Sequence, residues 1–390
     1  MSASPILVLG ADGYVGWPLV LELAARAPER PIWMVDNGLR RRLVAEVGGN
    51  SVTPIRELSE RVDAARSLGF SNLRTVELDV VSDALEQLVA EVQPGVVYHL
   101  AQQCSAPWSM MGPEQALFTI HNNEGGNLRL LWALRRAAPH AHLIKLGTFG
   151  EYARGGIDIA EGYFYPEYLG QRASRPMPYP RESDDIYHIS KINDSNYISL
   201  ACRKWGLAVT DIMQSTIYGV DTERTRQDPA LCTRFDYDGV WGTVVNRFIA
   251  QTVVGHPMTV YGTGLQRSGL MALSDSVSSL ADLAERPARP GEHRVINHVT
   301  ERSWCINEIA AEVHKVAIDL GVAASIQHGY DPRGEQVLTK DTYNIEAHWV
   351  ASCVAHTAFE QAIRPLFAVI HQHAARIRPA LFVPKVSWSS

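Results

Sequence analysis

The sequence lacks the features that mark disulfide-rich scaffolds, metal-stapled domains and membrane proteins. Its 390 residues include only five cysteines, an odd number without a CxxC pair, which argues against a disulfide framework and a structural zinc site. No apolar run approaches the ~20 residues of a membrane-spanning helix, and the opening stretch MSASPILVLG has no signal-peptide pattern. We therefore expect a cytoplasmic protein that does not bind membranes.

An excess of basic charge is also missing. Lysine and arginine together number 36 against 42 aspartates and glutamates, which gives a formal net charge of -6. Nucleic acid is thereby disfavoured as a partner, and any anionic ligand must be held by a few local cations. The 14 histidines show no HExxH spacing, so no metal site is predicted.

The first half of the chain contains a regular alternation of apolar runs and helical segments. PILVLG, PIWMVD, LRTVELDV, GVVYHLA, HLIKLGT and LAVTDIM read as buried strands, and LEQLVAEV and NLRLLWALRRAA have helical spacing. Strands that are apolar throughout and alternate with helices indicate a parallel sheet covered on both faces. The predicted fold class is α/β, with a Rossmann-like doubly wound parallel sheet.

The alternation ends near residue 213, and irregular polar stretches follow. A chain of this length with 46% apolar residues exceeds one typical domain. We predict a first domain at 1–213 and a smaller, mainly C-terminal α/β lobe at 214–390, with the chain interleaved between the two. The loop-rich segment 155–182 is expected to lie near the smaller lobe.

A glycine-rich turn follows the first predicted strand. Gly10, Gly13 and Gly16 in GADGYVG allow a tight turn, a close approach of the backbone to a pyrophosphate, and close packing of helix on strand. The start of the following helix offers the phosphates a positive terminus. Because this glycine pattern stands between a strand and a helix, it predicts a dinucleotide-binding first domain.

An acidic residue selects the dinucleotide. Asp36 ends the second strand, where a carboxylate can accept hydrogen bonds from the adenosine ribose, so NAD is the predicted cofactor. Arg40, Arg41 and Arg42 leave NADP open as the alternative, since they could neutralise a 2'-phosphate. Asp79 and Val80 are expected beside the adenine. The other cofactor-binding candidates are Asp12, Tyr14, Val15, Asn37, Leu100, Ala101, Gln102, Asn122 and Gln214.

The stretch DIYHISKIND carries the predicted catalytic groups. A phenol with a pKa near ~10 is a poor base at neutral pH, but Lys191 lies one helical turn after Tyr187 and can stabilise its phenolate. Thr148, at a strand end where such sheets bind ligands, can hydrogen-bond the same substrate hydroxyl. Together these residues could remove the proton of an alcohol while its hydride leaves for the cofactor.

With these motifs in place, the chain resembles the extended short-chain dehydrogenases/reductases that act on nucleotide sugars, and within them the UDP-sulfoquinovose synthase branch. The resemblance runs nearly from end to end, and several matching stretches are specific to that branch. The branch-specific ones are SAPWSM, GTFGEY and the closing VSW. All the matching stretches together are GADGYVGW, VDNGLRRR, SVTPI, QQCSAPWSM, HNNEGGN, KLGTFGEY, IDIAEGY, YHISKINDS, DYDGVWGT, NRF, GHPMTVYGTG, DPRGE and PKVSW.

The resemblance implies a staged reaction on UDP-glucose. C4 is oxidised, water leaves across C5 and C6, sulfite adds at C6, and hydride returns to C4. His188 and Glu151 are the candidate acid–base residues for the middle stages, and His188 is equally open to a reading as a packing residue. Ordinary 4,6-dehydratases carry Asp and Glu after the strand-end threonine, whereas Phe149 and Gly150 stand here. That difference argues against a standard dehydratase.

The resemblance also implies a substrate site in the smaller lobe. A sugar diphosphate needs cations and backbone donors, which arginines and the WGTV stretch can provide. Pro257, Met258 and Thr259 are expected to flank the uracil. The remaining substrate-binding candidates are Gln103, Cys104, Thr148, Gln214, Trp241, Gly242, Thr243, Val244, Arg247, Arg267, Arg333 and Glu335.

Three departures separate this sequence from the branch it resembles. Cys104 stands where an arginine is expected near the sugar or sulfite, and it is read either as a small buried residue or as a nucleophile. In GTGLQRSG, Arg267 comes one residue before the expected place, which Ser268 occupies. In a strand, such a shift turns the side chain to the opposite face. Ala272 and Ser274 also replace an expected Asp and Arg.

Three alternatives therefore remain open at this point. The leading one is oxidation, elimination and sulfite addition on a UDP-sugar. The second is a nucleotide-sugar dehydratase or epimerase that does not use sulfite. The third is a cofactor-binding regulator without turnover. The resemblance further implies a homodimer, and a sulfite-donating protein as a possible partner.

Overall fold

The computed structural model describes residues 4–153, 157–299, 303–334, 345–353, 357–386 and 388. Within them, seven parallel strands form one central sheet. Their spatial order is His293–His298, Ala208–Gln214, His142–Leu146, Val96–His99, Ile6–Leu9, Ile32–Asp36 and Leu73–Glu77. The sheet is wound outwards in both directions from the first strand, as the α/β prediction requires. The predicted Rossmann-like fold class is confirmed.

Both faces of this sheet are buried. Ile6 and Val8 pack into one core, and the alternating Leu7 and Leu9 pack into another on the opposite face. A strand covered on both sides cannot show alternating polarity, which is why these strands appear as unbroken apolar runs. The helices around the sheet and in the lobe are Gly16–Arg26, Leu39–Glu46, Leu58–Ser67, Ala84–Val92, Ala106–Ser109, Pro113–Ile120, Gly126–Ala137, Ile186–Trp205, Val244–Val253, Leu273–Asp282, Ile306–Asp319, His348–Cys353 and Phe359–Gln372.

The seventh strand comes from the C-terminal half of the chain, and sequence reading missed it. Four of the six residues of HRVINH are polar, two at each end of the strand, so it does not look like a core strand. Asn297 is buried because it accepts a hydrogen bond from the Tyr152 hydroxyl at 2.6 Å, and His298 pairs with Ser279 at 2.5 Å. Distant partners therefore make a polar strand compatible with the core.

A second apolar core lies in the C-terminal half. It joins the helices Val244–Val253, Ile306–Asp319 and Phe359–Gln372. The short strand pairs outside the main sheet are Thr216–Tyr218 with Leu270–Ala272, Met258–Tyr261 with Ile326–Gly329, Arg267–Ser268 with Trp304–Cys305, Tyr163–Phe164 with Met177–Pro178, and Glu167–Tyr168 with Gln171–Arg172.

The C-terminal half contributes to both cores. Helix Leu273–Asp282 supplies apolar side chains to the same core as Ile6 and Val8, although it lies beyond residue 213. The boundary at 213/214 stays a prediction. No helix in the part of the chain that the structure describes has the length and apolar character needed to cross a bilayer.

We predict that Gly16→Ala destabilises the first domain. A Cβ at Gly16 would lie 2.1 Å from the Gly10 carbonyl oxygen, a contact that forces the backbone to move. Overpacking of this kind typically costs ~1–3 kcal/mol, which urea denaturation would measure. Gly125→Ala is the matched control, because its Cβ would meet nothing closer than 3.8 Å. Equal losses in both variants would contradict the close approach at Gly16.

Candidate active site

The functional candidates meet in one cavity at the carboxyl ends of the central strands. Its volume is about 890 Å³, and it extends from the glycine turn to the C-terminal lobe. Parallel strands in such sheets end at one edge, where ligands bind. The cofactor-binding candidates that line the cavity are Gly10, Gly13, Tyr14, Val15, Gly16, Asp36, Asn37, Arg40, Asp79, Val80, Leu100, Ala101, Gln102, Asn122, Tyr187, Lys191 and Gln214.

The glycine turn has the geometry that a dinucleotide requires. Gly10 adopts φ +86°, a conformation that side chains disfavour, and a Cβ there would lie 2.7 Å from the Ala101 backbone nitrogen. The Asp36 carboxylate accepts the backbone N–H of Asp12 at 2.9 Å and that of Gly38 at 2.8 Å. Since a carboxylate has about four acceptor sites, Asp36 retains capacity for ribose hydroxyls. These residues fit NAD.

Two cofactor-binding candidates do not line the cavity. The Asp12 side chain is buried in a cluster with Arg41, at 2.5 Å and 2.9 Å, and with Arg61, at 2.7 Å. Arg61 also stacks on the Trp17 ring. The Asp12 carboxylate therefore holds the Arg41 guanidinium, which is not directed towards a 2'-phosphate. This position corrects the expectation that the side chains of Asp12 and Arg41 contact the cofactor directly. Arg61 is distant in sequence, so no local pattern reveals this cluster.

Tyr187, Lys191 and Thr148 come together in the cavity as predicted. Tyr187 and Lys191 lie in the first two turns of helix Ile186–Trp205, and Thr148 follows the strand His142–Leu146. Lys191 Nζ donates to the Leu146 carbonyl oxygen at 2.5 Å and to Gln102 Oε1. The strand end thus fixes the lysine beside the tyrosine.

The electrostatics of this group differ in one respect from the sequence prediction. Burial raises the pKa of Tyr187 well above its ordinary value, and the nearby acidic groups add to the effect. Burial lowers the pKa of Lys191 to about 8, and the charge of Lys145 acts in the same direction. The lysine by itself therefore does not account for a phenolate, and a positive nicotinamide ring bound beside the phenol would lower its pKa.

Glu151 lies behind the cavity, not in it. Its carboxylate is fully buried, lies 3.4 Å from Lys145 Nζ, pairs with Arg181 and accepts the Ser195 hydroxyl at 2.8 Å. It also accepts the Thr148 backbone N–H at 3.2 Å. The expectation that Glu151 acts directly on substrate is corrected by this position, because its contacts serve to hold Thr148.

His188 does line the cavity, and its surroundings explain the unusual Gly150. A Cβ at Gly150 would lie 2.1 Å from His188 Nε2, so only glycine leaves room for the imidazole. The ring of His188 thus occupies the space next to residue 150, where ordinary 4,6-dehydratases carry an acidic side chain. Its partner Asp185 was missed by sequence reasoning, although an Asp directly before a helix is a typical N-cap signal.

The substrate-binding candidates from the C-terminal lobe form the other end of the cavity. Those that line it are Gln103, Cys104, Trp241, Gly242, Thr243, Val244, Arg247, Arg267 and Arg333, together with Thr148 and Gln214. Arg247 is buried, its Nε has no hydrogen-bond partner among the described residues, and its guanidinium lies over the Tyr261 ring at 4.3 Å. A buried cation with a free donor is suited to an anionic ligand.

The predicted uracil contacts are not brought to the cavity. Met258 is fully buried in the second core, and Pro257 and Thr259 do not line the cavity either. In the strand Met258–Tyr261, the residue that lines the cavity is Tyr261, which sequence reasoning missed. Glu335 lies outside the described residues.

Arg40 lies directly beside Cys104. The Arg40 guanidinium Nη1 lies 3.2 Å from Cys104 Sγ, Nη2 lies 2.7 Å from Asp236, and the group stacks over Trp241 at 3.8 Å. Cys104 is exposed, so its interpretation as a small buried residue is wrong. A cation is thus present next to residue 104, although it is contributed by residue 40.

Comparison with known proteins gives a family and a set of relatives. The family model described as NAD dependent epimerase/dehydratase family matches residues 6–297. UDP-sulfoquinovose synthase of Spinacia oleracea, a chloroplastic protein, is 35% identical over 98% of this chain and 79% of its own length. UDP-sulfoquinovose synthase of Sulfolobus acidocaldarius is 38% identical over 85% of this chain and 83% of its own length.

Solved structures show the same fold. UDP-glucuronic acid 4-epimerase from Bacillus cereus, in complex with UDP-glucuronic acid and NAD, matches with a TM-score of 0.67 at 17% identity, over 94% of this chain and 99% of that one. UDP-glucose 4-epimerase from Thermotoga maritima, in complex with UDP-glucose, matches with a TM-score of 0.64 at 18% identity. The match covers 95% of this chain and 99% of that one.

We predict that Lys191 makes stability depend on pH in the alkaline range. An unfolded lysine titrates near ~10.4, whereas folding lowers the pKa of Lys191 to about 8. Between these values the unfolded chain binds more protons, so stability rises with pH. Between pH ~8 and ~10, the free energy of unfolding of the wild type should gain about 1–3 kcal/mol relative to Lys191→Met.

Urea denaturation at several pH values measures this difference. Lys315→Met is the control, because hydrogen bonds to Glu360 and Glu312 raise the pKa of exposed Lys315, the opposite direction to Lys191, so this lysine gives no gain in stability as pH rises. A wild-type advantage over Lys191→Met that stays flat or falls with pH would contradict the prediction.

Proposed function

Because the chain belongs to the NAD dependent epimerase/dehydratase family, we propose that it converts UDP-glucose and sulfite to a UDP-sugar sulfonated at C6. The observation that carries this proposal is the meeting of Thr148, Tyr187, Lys191 and His188 in one cavity with the glycine turn and the arginines of the C-terminal lobe. The family relatives at 35–38% identity are UDP-sulfoquinovose synthases, which supports the same reaction here.

The cofactor-binding residues support NAD. The turn at Gly10–Gly16 and the Asp36 carboxylate would hold the pyrophosphate and the ribose, and bound NAD would supply the acceptor, and later the donor, of the C4 hydride. Tyr187 takes the proton of the C4 hydroxyl, while Thr148 hydrogen-bonds the same oxygen. Lys191, anchored on Leu146 and Gln102, keeps its charge beside the phenolate.

Oxidation must come first because of the acidity of the sugar. A 4-keto group stabilises the negative charge that forms when the C5 proton leaves, and hydroxide at C6 then departs as water. His188 is the acid–base residue on the protein side, since an imidazole can both accept and donate a proton and the His188 ring lies next to Tyr187, with ring centroids 4.7 Å apart. Sulfite then adds at C6 and a proton at C5. Hydride returns to C4 while Tyr187 gives its proton back to the C4 oxygen, which completes the balance.

The lobe end of the cavity supports a nucleoside diphosphate. Arg247, Arg267 and Arg333 line it, and Thr243 precedes helix Val244–Val253, whose first backbone N–H groups can bind a phosphate. Arg267 is partly committed, since it donates to Ser303 and pairs with Glu308 at 3.3 Å. Arg247 has a donor to spare, so it is the stronger candidate for the diphosphate.

A second candidate function is dehydration or epimerisation of a UDP-sugar without sulfite. Cys104 in place of the expected arginine favours it, as do the acidic side chains Glu182, Asp184 and Asp185 at the cavity, which repel a sulfite anion. Arg40 favours the sulfite reaction instead, because it places a guanidinium beside residue 104. The homodimer, the cytoplasmic location and a sulfite-donating protein stay predictions.

We predict that the purified protein carries NAD and forms a sulfonated UDP-sugar from UDP-glucose and sulfite, detectable by mass spectrometry. Tyr187→Phe should reduce product formation by at least ~100-fold, because the C4 proton loses its acceptor. Tyr168→Phe is the control, since this exposed hairpin residue does not line the cavity.

Unchanged UDP-glucose after incubation with sulfite would remove the sulfite claim. Exchange of the C5 proton with deuterated water, independent of sulfite, would establish the second candidate function. No reaction or cofactor reduction with any nucleotide sugar would favour a regulator.

We further predict that Arg40→Met acts on sulfite and not on C4 oxidation. It removes the cation beside Cys104, so the KM for sulfite should rise by about 10-fold or more, in line with the ~1.5–3 kcal/mol of a hydrogen bond to a charged group. Arg42→Met is the matched control, because Arg42 does not line the cavity. The readouts are steady-state kinetics at varied sulfite and C5 proton exchange without sulfite. An unchanged KM for sulfite would show that Arg40 does not bind it.

A further inference from the structure

Asp185 carries two contacts to one residue. It is the N-cap of helix Ile186–Trp205, and its Oδ1 accepts the His188 backbone N–H at 2.9 Å. Its Oδ2 lies 2.5 Å from His188 Nδ1. An N-cap needs only the first contact. The second contact joins a buried carboxylate to the imidazole of the proposed acid–base residue.

This carboxylate determines which ring nitrogen is available. Burial alone would raise the pKa of Asp185, but the charge and hydrogen bonds of His188 outweigh burial and hold the pKa below its usual range. An ionised carboxylate only accepts hydrogen bonds, so Nδ1 carries a proton in either charge state of the ring, and in the neutral ring Nε2 is left with its lone pair. The orientation of the ring follows from the same contact.

Nε2 is the atom that lies over Gly150. A Cβ at Gly150 would be 2.1 Å from Nε2, and both residues line the cavity beside Tyr187. The side chain of His188 keeps 22% of its surface exposed, whereas that of Asp185 keeps 6%. The partly exposed imidazole therefore forms part of the cavity wall, and the carboxylate that holds its Nδ1 is buried.

We propose that Asp185 is a positioning residue that fixes the His188 imidazole, with Nε2 directed into the cavity, for proton transfer at C5 and C6 of the sugar. This inference rests on the proposed function. As Nε2 takes the C5 proton, the ring becomes an imidazolium, and the Asp185 carboxylate stabilises its charge without taking up the proton.

The test compares Asp185→Asn with the wild type. Asparagine is also a good N-cap, so unfolding stability should change little. Its amide can donate to Nδ1 and favours the opposite tautomer. The rate of C5 proton exchange should fall by about 10- to 1,000-fold, within the ~10²–10⁴-fold that a positioned acid–base group contributes. C4 oxidation uses Tyr187, so reduced nicotinamide should accumulate with UDP-glucose, visible in its absorbance.

The pH profile gives a readout that helix capping would not change. Loss of the carboxylate disfavours the imidazolium, so the acid limb of the exchange rate should move to lower pH. The other ionisable groups that act on Asp185 or on the adjoining Tyr187 are Arg333, Cys104, Glu151 and Asp194, and all remain in the variant.

Further variants separate positioning from capping. In a His188→Gln background, Asp185→Asn should have no additional effect on exchange, since the carboxylate acts through the imidazole. Asp228→Asn is the matched control, because Asp228 also caps a helical turn, accepting the Ala230 N–H at 2.7 Å. Asp185→Ser keeps a hydroxyl that can cap the helix but does not reach the His188 imidazole. It replaces Asp185→Asn in the test if the asparagine variant folds poorly.

A measurement independent of turnover separates the inference from the proposed function. Nitrogen-15 NMR of the histidine rings, with His188 assigned by loss of its signals in His188→Gln, should report the Nδ1–H tautomer in the wild type and its loss in Asp185→Asn. The Nε2–H tautomer in the wild type, or additive effects of the two substitutions on exchange, would overturn the inference. Absence of any exchange in the wild type, with the Nδ1–H tautomer present, would refute the proposed function alone.

Discussion

The active site depends on a cluster of charges buried beneath it. Lys145 and Asp211 are directly opposite each other on neighbouring strands, with Nζ 3.3 Å from the carboxylate, and both are fully buried. Glu151 joins them and extends the cluster to the Thr148 backbone. Breaking a buried ion pair leaves an uncompensated charge, which typically costs 3–5 kcal/mol. The cluster therefore fixes the strand end and the threonine on it.

The same cluster sets the protonation of the catalytic helix. Lys145 lowers the pKa of Lys191, and Asp194 acts against it. Burial raises the pKa of Asp194 to about 7, and this carboxylate accepts a hydrogen bond from Gln102, which in turn contacts Lys191. Proton positions at the cavity are thus coupled to charges that substrate never touches.

The two halves of the cavity carry different chemical groups. The sheet half supplies groups that exchange protons, and these groups are held by strand ends and by the start of one long helix. The lobe half supplies arginines and aromatic rings, which suit a nucleoside diphosphate. Arg40 connects them, because it lies on the first domain yet pairs with Asp236 and stacks on Trp241. Its Nη1 also lies 3.2 Å from Cys104 Sγ, so one guanidinium contacts residues of both halves.

The sequence by itself determined the fold class, the glycine turn, the carboxylate at Asp36 and the meeting of Tyr187 with Lys191. Each depends on short-range order, because hydrophobic period, turn chemistry and helical spacing are set by neighbouring residues. Only the tertiary structure decided that Asp12 and Arg41 pair with each other, that Glu151 supports Thr148 from behind, and that residue 261 and not 257–259 reaches the cavity. These outcomes depend on contacts between residues far apart in the chain, and a polar strand such as His293–His298 is buried only because its partners arrive from elsewhere.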